Sequence, residues 1–371
     1  MHQHRLSSRQ RLTRLFEGKD IDRIPFWLLF NKYQSHTYAG CFDSSYKHVL
    51  KRIYEHSEFI ERMTFDTGFC YTSYPGVNTK KSEYFENGYN VAETSITYKD
   101  IKLTKKTKHG IDSVSVDNFV TDVRGLDTVL RLPYREPLLD LSRFIAEKER
   151  LGNGGLMGVE LADPISVLHD LCDETHFVLL AYEETEKVIK FLDAISERIL
   201  AVHKNLLESG VADFFWIRGA EFVVPPMLPP SLFDKLAGKY IKKICDLIRS
   251  YGKLSFLHCH GKTKLVLDSL NKIGMDAVHP VEAPPMGDCT LTMAREAFGK
   301  NVVLFGNIQY GDLWTKNEAE MEDVVNAAID EGQKCGRFVL STTTGPSAAK
   351  INFTVARNYL KIIDTVLGRR L

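Results

Sequence analysis

Short apolar runs alternate with helical patterns along most of the chain. A typical run is residues 24–30 (IPFWLLF), which is apolar on both faces, as parallel strands covered by helices are. The segments between such runs place apolar residues three or four positions apart, which predicts amphipathic helices. The predicted strands are 24–30, 64–70, 156–161, 213–220, 254–260, 277–281, 302–306 and 337–342. Eight strand–helix units predict an α/β fold, a (β/α)8 TIM barrel.

One segment breaks this pattern. Residues 89–123 alternate polar with apolar positions and carry turn residues at Lys99-Asp100 and His109-Gly110. A period of two residues is typical of antiparallel strands, so we expect a β-hairpin insertion near 89–123, outside the barrel. We interpret the cationic stretch from Lys102 to His109 as a solvated strand face, because long cationic side chains commonly protect exposed strand edges.

Composition limits the class of protein. The chain has 371 residues, of which 44% are hydrophobic and 26% charged, with no internal repeat or low-complexity linker. These values are typical of a globular protein, and we expect a single domain over residues 1–371. The 48 basic residues equal the 48 acidic ones in number, so no overall field attracts nucleic acid or a membrane surface.

Two further observations concern the cellular compartment. Seven cysteines without close pairing favour reduced thiols over a disulfide framework. The first residues, MHQHRLSSRQ, are charged and do not resemble a secretory signal, and no run approaches the roughly 20 apolar residues of a membrane span. We therefore expect a cytoplasmic protein with neither nucleic-acid nor membrane partners.

A pair of histidines ends the fifth predicted strand. His258 and His260 are two positions apart in LSFLHCHG, so they face one side of the strand while Cys259 faces the other. Neutral imidazole is a common zinc ligand, and Glu282 after the next strand could add an oxygen. The pattern predicts a metal site of His258, His260 and Glu282. The histidines could instead be hydrogen-bonded polar residues or substrate anchors.

Other polar residues lie at strand ends, where TIM barrels carry their chemistry. The catalytic candidates are Glu221, Asn31 and Glu160, and the candidates for substrate binding are Arg218, Asn307 and Trp27. Two structural alternatives stay open. Glu221 could pair with Arg218, and Glu160 could be architectural, since Asp163 next to it already caps a helix. No phosphate-binding loop, dinucleotide fingerprint or nucleophile elbow is present.

The order and spacing of several short motifs resemble the uroporphyrinogen decarboxylase superfamily over nearly the whole chain. The matching segments are 23–27 (RIPFW), Asp163-Pro164, 258–261 (HCHG), 274–277 (GMDA), 306–308 (GNI) and 344–346 (TGP). The decarboxylases of this superfamily carry an arginine-rich RQAGR after strand one and a histidine after strand eight. This chain has FNKYQ at 30–34 and Thr344 at the second place, so the counter-charges for a polycarboxylate tetrapyrrole are missing.

A second branch of the superfamily holds zinc methyltransferases that exchange methyl groups with a corrinoid protein. They carry HxCG at strand five, where this chain has His260 in place of the cysteine, and they supply a second cysteine where this chain has Thr344. A zinc site without thiolates is less electron-rich and suits an oxygen nucleophile or leaving group better than a thiol.

The resemblance implies a metal-dependent methyltransferase that demethylates a small methylated or methoxylated compound. Its cofactors would be zinc or another divalent metal, held by the protein, and a corrinoid carried by a partner protein. Two alternatives remain: a decarboxylase or lyase whose carboxylated substrate is held by Arg218 or Lys32, and a non-catalytic corrinoid- or tetrapyrrole-binding protein.

Overall fold

Eight parallel strands form one sheet that curves into a nearly closed barrel in this computed structural model, which describes residues 5–32, 36–37, 40–110 and 113–369. The bounds of the strands are β1 Phe26–Trp27, β2 Phe59–Thr64, β3 Gly155–Ala162, β4 Phe214–Arg218, β5 Leu254–His258, β6 Ala277–Val281, β7 Val303–Ile308 and β8 Phe338–Thr342. Their order around the sheet is β1-β8-β7-β6-β5-β4-β3-β2. The predicted TIM barrel is confirmed.

Helices separate the strands and cover the outside of the barrel. Their bounds are α1 Ser8–Glu17, α2 Lys47–His56, α3 Phe69–Thr72, α4 Val123–Leu130, α5 Ser142–Leu151, α6 Pro164–Leu171, α7 Glu174–Glu183, α8 Thr185–Glu208, α9 Lys239–Ser250, α10 Leu267–Ile273, α11 Leu291–Phe298, α12 Asp312–Thr315, α13 Glu318–Cys335 and α14 Phe353–Gly368. Among these described helices, none combines the length and the apolar composition that crossing a membrane requires.

The predicted hairpin insertion is also confirmed. Its four strands, Asn78–Glu86, Tyr89–Tyr98, Ile101–His109 and Val114–Asp117, pair in antiparallel fashion as a separate sheet. It begins before the predicted residue 89 and its last strand ends at Asp117. Lysines of the cationic stretch pair with neighbouring carboxylates, as Lys106 does with Glu93 at 3.2 Å.

The second strand was predicted in the wrong place. It covers Phe59–Thr64 rather than 64–70, and residues Phe69–Thr72 form the short helix α3. The strand reads FIERMT, so two charged residues interrupt its apolar pattern. Glu61 is nevertheless only 7% exposed, so this buried strand carries a carboxylate. The pattern of apolar and polar residues alone would place such a carboxylate in a loop.

The carboxylate of Glu58 joins the two ends of the sheet. In the described part of the chain, no ladder of paired residues links β1 to β2. Instead, the Glu58 backbone N–H donates to the Phe26 carbonyl at 2.9 Å, and its carboxylate accepts from the Phe26 N–H at 2.7 Å. The same carboxylate is fully buried and accepts from Arg11 at 2.6 Å and from Arg23 at 2.7 Å. Helix α1, which carries Arg11, is thereby tied to the barrel seam.

An aromatic layer fills the inside of the barrel. It contains Trp27, Trp216, Phe256 and Phe305, together with smaller apolar residues of the neighbouring strands. The Trp27 and Trp216 rings meet edge to face at 5.9 Å between centroids. Because strand side chains alternate, the next inward positions along each strand lie above this layer, toward the C-terminal end of the barrel.

We expect replacement of Glu58 to destabilise the fold strongly. Glu58→Gln removes the charge that the buried Arg11 and the half-buried Arg23 share, and breaking a buried ion pair costs about 3–5 kcal/mol. The loss should lie near the lower end, about 3 kcal/mol, because Arg11 keeps its ion pair with Asp22. Urea denaturation measures it. The control Asp364→Asn breaks an exposed pair with Arg52 and should cost less than about 1 kcal/mol. Equal losses in both variants would contradict the role of Glu58.

Candidate active site in the barrel mouth

Polar side chains occupy the inward positions above the aromatic layer. They are reached by counting two residues onward from apolar interior positions, as from Phe256 to His258 or from Trp216 to Arg218. The resulting set is Arg62, Glu160, Arg218, His258, His279, Asn307 and Ser341. The barrel interior therefore changes from apolar to charged and polar within one layer of side chains.

Two arginines hold one carboxylate in this layer. Glu160 accepts a short hydrogen bond from Arg62 Nε, and Arg218 Nε lies 3.5 Å from its other oxygen. The Arg62 guanidinium also stacks 4.4 Å from the centre of the Trp216 ring. Arg218 extends further to Asp170, at 4.0 Å. Arg218 thus forms its ion pairs with Glu160 and Asp170. The structural alternative for Glu221, an ion pair with Arg218, is therefore not what the structure shows.

His258, which is half-buried, and His279, which is fully buried, form an imidazole pair. They are register partners on β5 and β6, and their Nδ1 atoms lie 3.1 Å apart. The Nε2 atom of His279 lies 3.2 Å from the carbonyl oxygen of Thr342. Burial lowers the pKa of both histidines well below the usual value, and neighbouring imidazoles lower it further. Both rings are therefore neutral near pH 7.

His260 pairs with Glu282, the other predicted ligand. His260 Nδ1 lies 3.0 Å from Glu282 Oε1, and the Gly261 backbone N–H donates to Oε2 at 3.1 Å. The His258 and His260 rings are nearly perpendicular, with centroids 4.7 Å apart. The structure thus brings the three predicted metal ligands together and adds His279 to them.

The cluster has the donor types of a zinc site but not its converging geometry. The donor types, two neutral imidazoles and a carboxylate, fit zinc. Their polar atoms, however, pair with one another as His258–His279 and His260–Glu282. Within the described ranges no three His, Cys, Asp or Glu groups converge as a ligand set. Binding of zinc by His258, His260 and Glu282 stays a prediction, and it requires Glu282 to change partners.

Glu221 lies beside His260 on a tight turn after β4. Gly219 precedes it with φ +130°, and a Cβ at Gly219 would fall 1.9 Å from Asp163 Oδ1, so only glycine fits there. The Gly219 N–H donates to Glu221 Oε2 at 2.9 Å. Burial raises the pKa of Glu221, an effect that hydrogen bonds from the backbone and the nearby His260 and Arg218 reduce only in part.

Glu221 and His260 form the polar end of a cavity of about 420 Å³. Apart from Gly261, its other lining residues are apolar: Val178, Val224, Pro225, Pro226 and Met227. A cavity of this size holds a small organic molecule, and its lining favours an apolar body with a polar atom at one end.

The remaining predicted residues lie in different places. Trp27 is 1% exposed and packs below the polar layer against Trp216 and His279, so it forms the floor of the site. Asn307 is half-buried on β7, in register with Ser341. Asn31 is half-buried in the segment after β1, and its catalytic role stays a prediction.

Lys32 does not have the position that a carboxylate-binding role in the mouth requires. Its backbone N–H donates to Glu61 at 2.6 Å, and its ammonium lies 5.4 Å from the centre of the Phe59 ring. Phe59 and Glu61 alternate with the inward Ile60, so both face away from the barrel interior. The chain after β1 turns outward here, which the apolar run at 24–30 did not indicate.

One residue of the site was missed from the sequence, and the role of a second was not recognised. Arg62 was missed because the second strand was placed too late. His279, a polar residue at the mouth end of the sixth predicted strand, was assigned no function, and the structure places it inside β6. The signal that could have shown the role of His279 is strand register. The segments HCH at the end of β5 and HPVE at the end of β6 lie at matching positions, with His258 opposite His279.

Comparison with known proteins places this site in a family. The model of the family described as uroporphyrinogen decarboxylase (URO-D) matches residues 108–348. The chain belongs to this family. The match runs from the last part of the insertion to the loop after β8, so it includes β3 to β8 and the whole histidine cluster.

The fold is shared with a solved structure. A methyltransferase from Methanosarcina mazei is similar over 98% of this chain and 99% of its own, with a TM-score of 0.59 and 15% identity. A protein provisionally named a vitamin-B12-independent methionine synthase, from Listeria monocytogenes, matches over 61% of this chain and 67% of its own, with a TM-score of 0.40 and 13% identity. No protein of curated function matches the sequence.

Asp163 should make stability depend on pH. It caps α6 through Oδ1, which accepts from the Ser166 N–H at 3.0 Å, while Oδ2 is buried without a partner among the described groups. Burial raises its pKa from 3.8 to about 8. The folded state then holds a proton that the unfolded state has lost, so stability falls as pH rises through this window.

Asp163→Asn removes this titration and keeps an oxygen for the cap. The stability of the natural chain, relative to this variant, should decline between about pH 4 and pH 8, by up to about 1.4 kcal/mol per pH unit. Urea denaturation at a series of pH values measures both. Parallel pH profiles of the two proteins would show that Asp163 is ionised in the folded state.

Proposed function

We propose that the protein is a methyltransferase that removes a methyl group from the oxygen of a small methoxylated compound and transfers it to a corrinoid carried by a partner protein. The observation that supports this most is the apolar cavity with Glu221 and His260 at its polar end. It accommodates an apolar body with one oxygen, and it lacks the cationic lining that a polycarboxylate tetrapyrrole would need.

Glu221 is the proposed general acid. Breaking the methyl–oxygen bond leaves electrons on the oxygen, which takes a proton as the methyl group passes to the reduced corrinoid. A carboxyl group whose pKa is raised by burial keeps its proton closer to neutral pH and can donate it at this moment. Gly219 holds the Glu221 carboxyl in place by its backbone N–H.

His258, His260 and Glu282 would hold the metal next to this cavity. A bound zinc ion would supply a Lewis acid that polarises the substrate oxygen. His260 belongs both to this group and to the cavity lining, which supports placing the substrate oxygen near it.

A second candidate is a carboxy-lyase acting on a small carboxylated substrate. The observation that favours it is Arg62, which gives the barrel interior a second guanidinium beside Arg218. Both arginines already face Glu160, so a substrate carboxylate would have to compete with that side chain. This makes the lyase the weaker proposal.

Methyl transfer can be measured with a simple probe. We expect 2-methoxyphenol and chemically reduced free cobalamin, the latter in place of the partner protein, to give methylcobalamin and catechol. Glu221→Gln should lower the rate by about 100-fold or more, because general acids typically contribute 10²–10⁴-fold. Visible absorbance of the corrinoid follows the reaction. The control Glu322→Gln, in an exposed ion pair with Lys361, should leave the rate unchanged.

Several outcomes would contradict the proposal. Equal rates for the natural chain and Glu221→Gln would remove Glu221 from the mechanism. Full methyl transfer to a thiol without any corrinoid would exclude the proposed acceptor. Release of carbon dioxide from a carboxylated analogue such as 2-methoxybenzoate, without methyl transfer, would favour the lyase.

Zinc content tests the predicted ligands. The protein produced with zinc in the medium should contain it in stoichiometric amount by elemental analysis. His258→Ala and His260→Ala should each lose most of it, because each removes one of the predicted protein ligands. His109→Ala, in the insertion sheet, is the control and should keep the metal. Full zinc content in the His258 and His260 variants would place any metal elsewhere.

A further inference from the structure

We infer that His279 and Glu282 are positioning residues that fix the protons of His258 and His260, so that both rings offer Nε2 as their free lone pair. The inference deepens the proposed function by dividing the cluster into two groups that meet a ligand and two that orient them. It changes the role of Glu282, which was expected to be a ligand. The hydrogen-bond directions that support it do not depend on a metal.

The first fixed point is the carbonyl of Thr342. A backbone carbonyl only accepts hydrogen bonds, so the His279 Nε2 atom, 3.2 Å away, must carry the proton of that ring. His279 is 0% exposed, which leaves no solvent to compete for this contact. A neutral imidazole has one N–H, and the Nδ1 atom of His279 is therefore an acceptor.

The second step passes this constraint to His258. Its Nδ1 atom lies 3.1 Å from His279 Nδ1. If neither nitrogen carried a proton, their two lone pairs would point at each other and repel. His258 Nδ1 must therefore donate. The ring is neutral, so its Nε2 atom keeps a lone pair. This is the reverse of the tautomer that a free neutral histidine prefers in water, which shows that the pair imposes it.

The third step treats His260 in the same way. An ionised carboxylate only accepts, so the contact of 3.0 Å between Glu282 Oε1 and His260 Nδ1 requires the proton on Nδ1. The other oxygen of Glu282 accepts from the Gly261 N–H at 3.1 Å, which fixes the carboxylate. A neutral His260 ring therefore also presents Nε2 without a proton.

Two lone pairs on adjacent rings suit an electron-poor ligand. The rings are 4.7 Å apart between centroids and nearly perpendicular. A divalent cation accepts both lone pairs, and carboxylate or carbonyl partners on the second ring nitrogen are the usual support of a metal-bound histidine. Here an imidazole, itself fixed by a carbonyl, serves as that partner for His258.

The tautomers can be observed directly. Long-range ¹H–¹⁵N spectra of the metal-free protein, with ¹⁵N-labelled histidine, distinguish Nδ1–H from Nε2–H, and His258→Gln and His260→Gln assign the signals. We expect the Nδ1–H form for His258 and His260 and the Nε2–H form for His279. In His279→Phe, His258 should shift largely to the Nε2–H form. In His279→Asn, the amide oxygen can accept in place of Nδ1 and should restore the original form.

Zinc affinity gives a second readout. Competition with a coloured chelator should show a 10- to 100-fold weaker affinity in His279→Phe, the usual effect of losing such a partner, with recovery in His279→Asn. A thermal unfolding profile checks that His279→Phe is folded. If it is not, the spectrum of the natural chain and the His279→Asn variant still decide the matter.

Two results would overturn the inference. One is an Nε2–H signal for His258 in the natural chain, and the other is an unchanged His258 tautomer in folded His279→Phe. Failure of the proposed function looks different, because absent methyl transfer or absent zinc leaves the tautomer spectra as expected. The reverse also holds, since methyl transfer with the opposite tautomers would reject only the roles of His279 and Glu282.

Discussion

The barrel depends on one buried carboxylate at its seam. Strand β1 is only Phe26–Trp27, too short to complete the sheet by a ladder of backbone hydrogen bonds. Glu58 supplies what the strand lacks, because its backbone and carboxylate both bond to Phe26 and its charge is balanced by Arg11 and Arg23. A carboxylate at this depth is stable only with such partners. The helix before the barrel is therefore part of its closure.

Closure of the barrel creates the electrostatic setting of the site. The aromatic layer around Trp27 and Trp216 excludes water from the base of the polar layer. In that setting Glu160 stays charged because Arg62 and Arg218 pair with it. His258 and His279 have no such counter-charge and are neutral, because burial lowers their pKa. The same burial that neutralises the histidines leaves each with one proton, and hydrogen bonds then decide which nitrogen holds it.

Regular patterns in the sequence predicted the barrel, the insertion and the proximity of His258, His260 and Glu282, because strand alternation and strand order are local or topological rules. Features that depend on contacts with residues distant in the sequence could not be predicted. The strand FIERMT was missed since its Arg62 is stabilised by Glu160, nearly a hundred residues later. The role of His279 could not be assigned from the sequence, because it depends on the register with His258. The outward course of Lys32 follows from its bond to Glu61, which no periodicity records.

The proposed chemistry depends on the donor atoms of the cluster formed by His258, His260, His279 and Glu282. The absence of cysteine thiolates from it matters as much as the presence of imidazoles. With His260 where related methyltransferases are expected to carry a cysteine, the cluster offers imidazole nitrogens rather than thiolates, and Cys259 is buried on the opposite face of the strand. Such a set would leave a bound cation more electron-poor and better able to polarise an oxygen. An oxygen leaving group also needs a proton, which a thiol acceptor site would not have to provide. Glu221, raised in pKa by burial and held by Gly219 beside His260, is in a position to supply it.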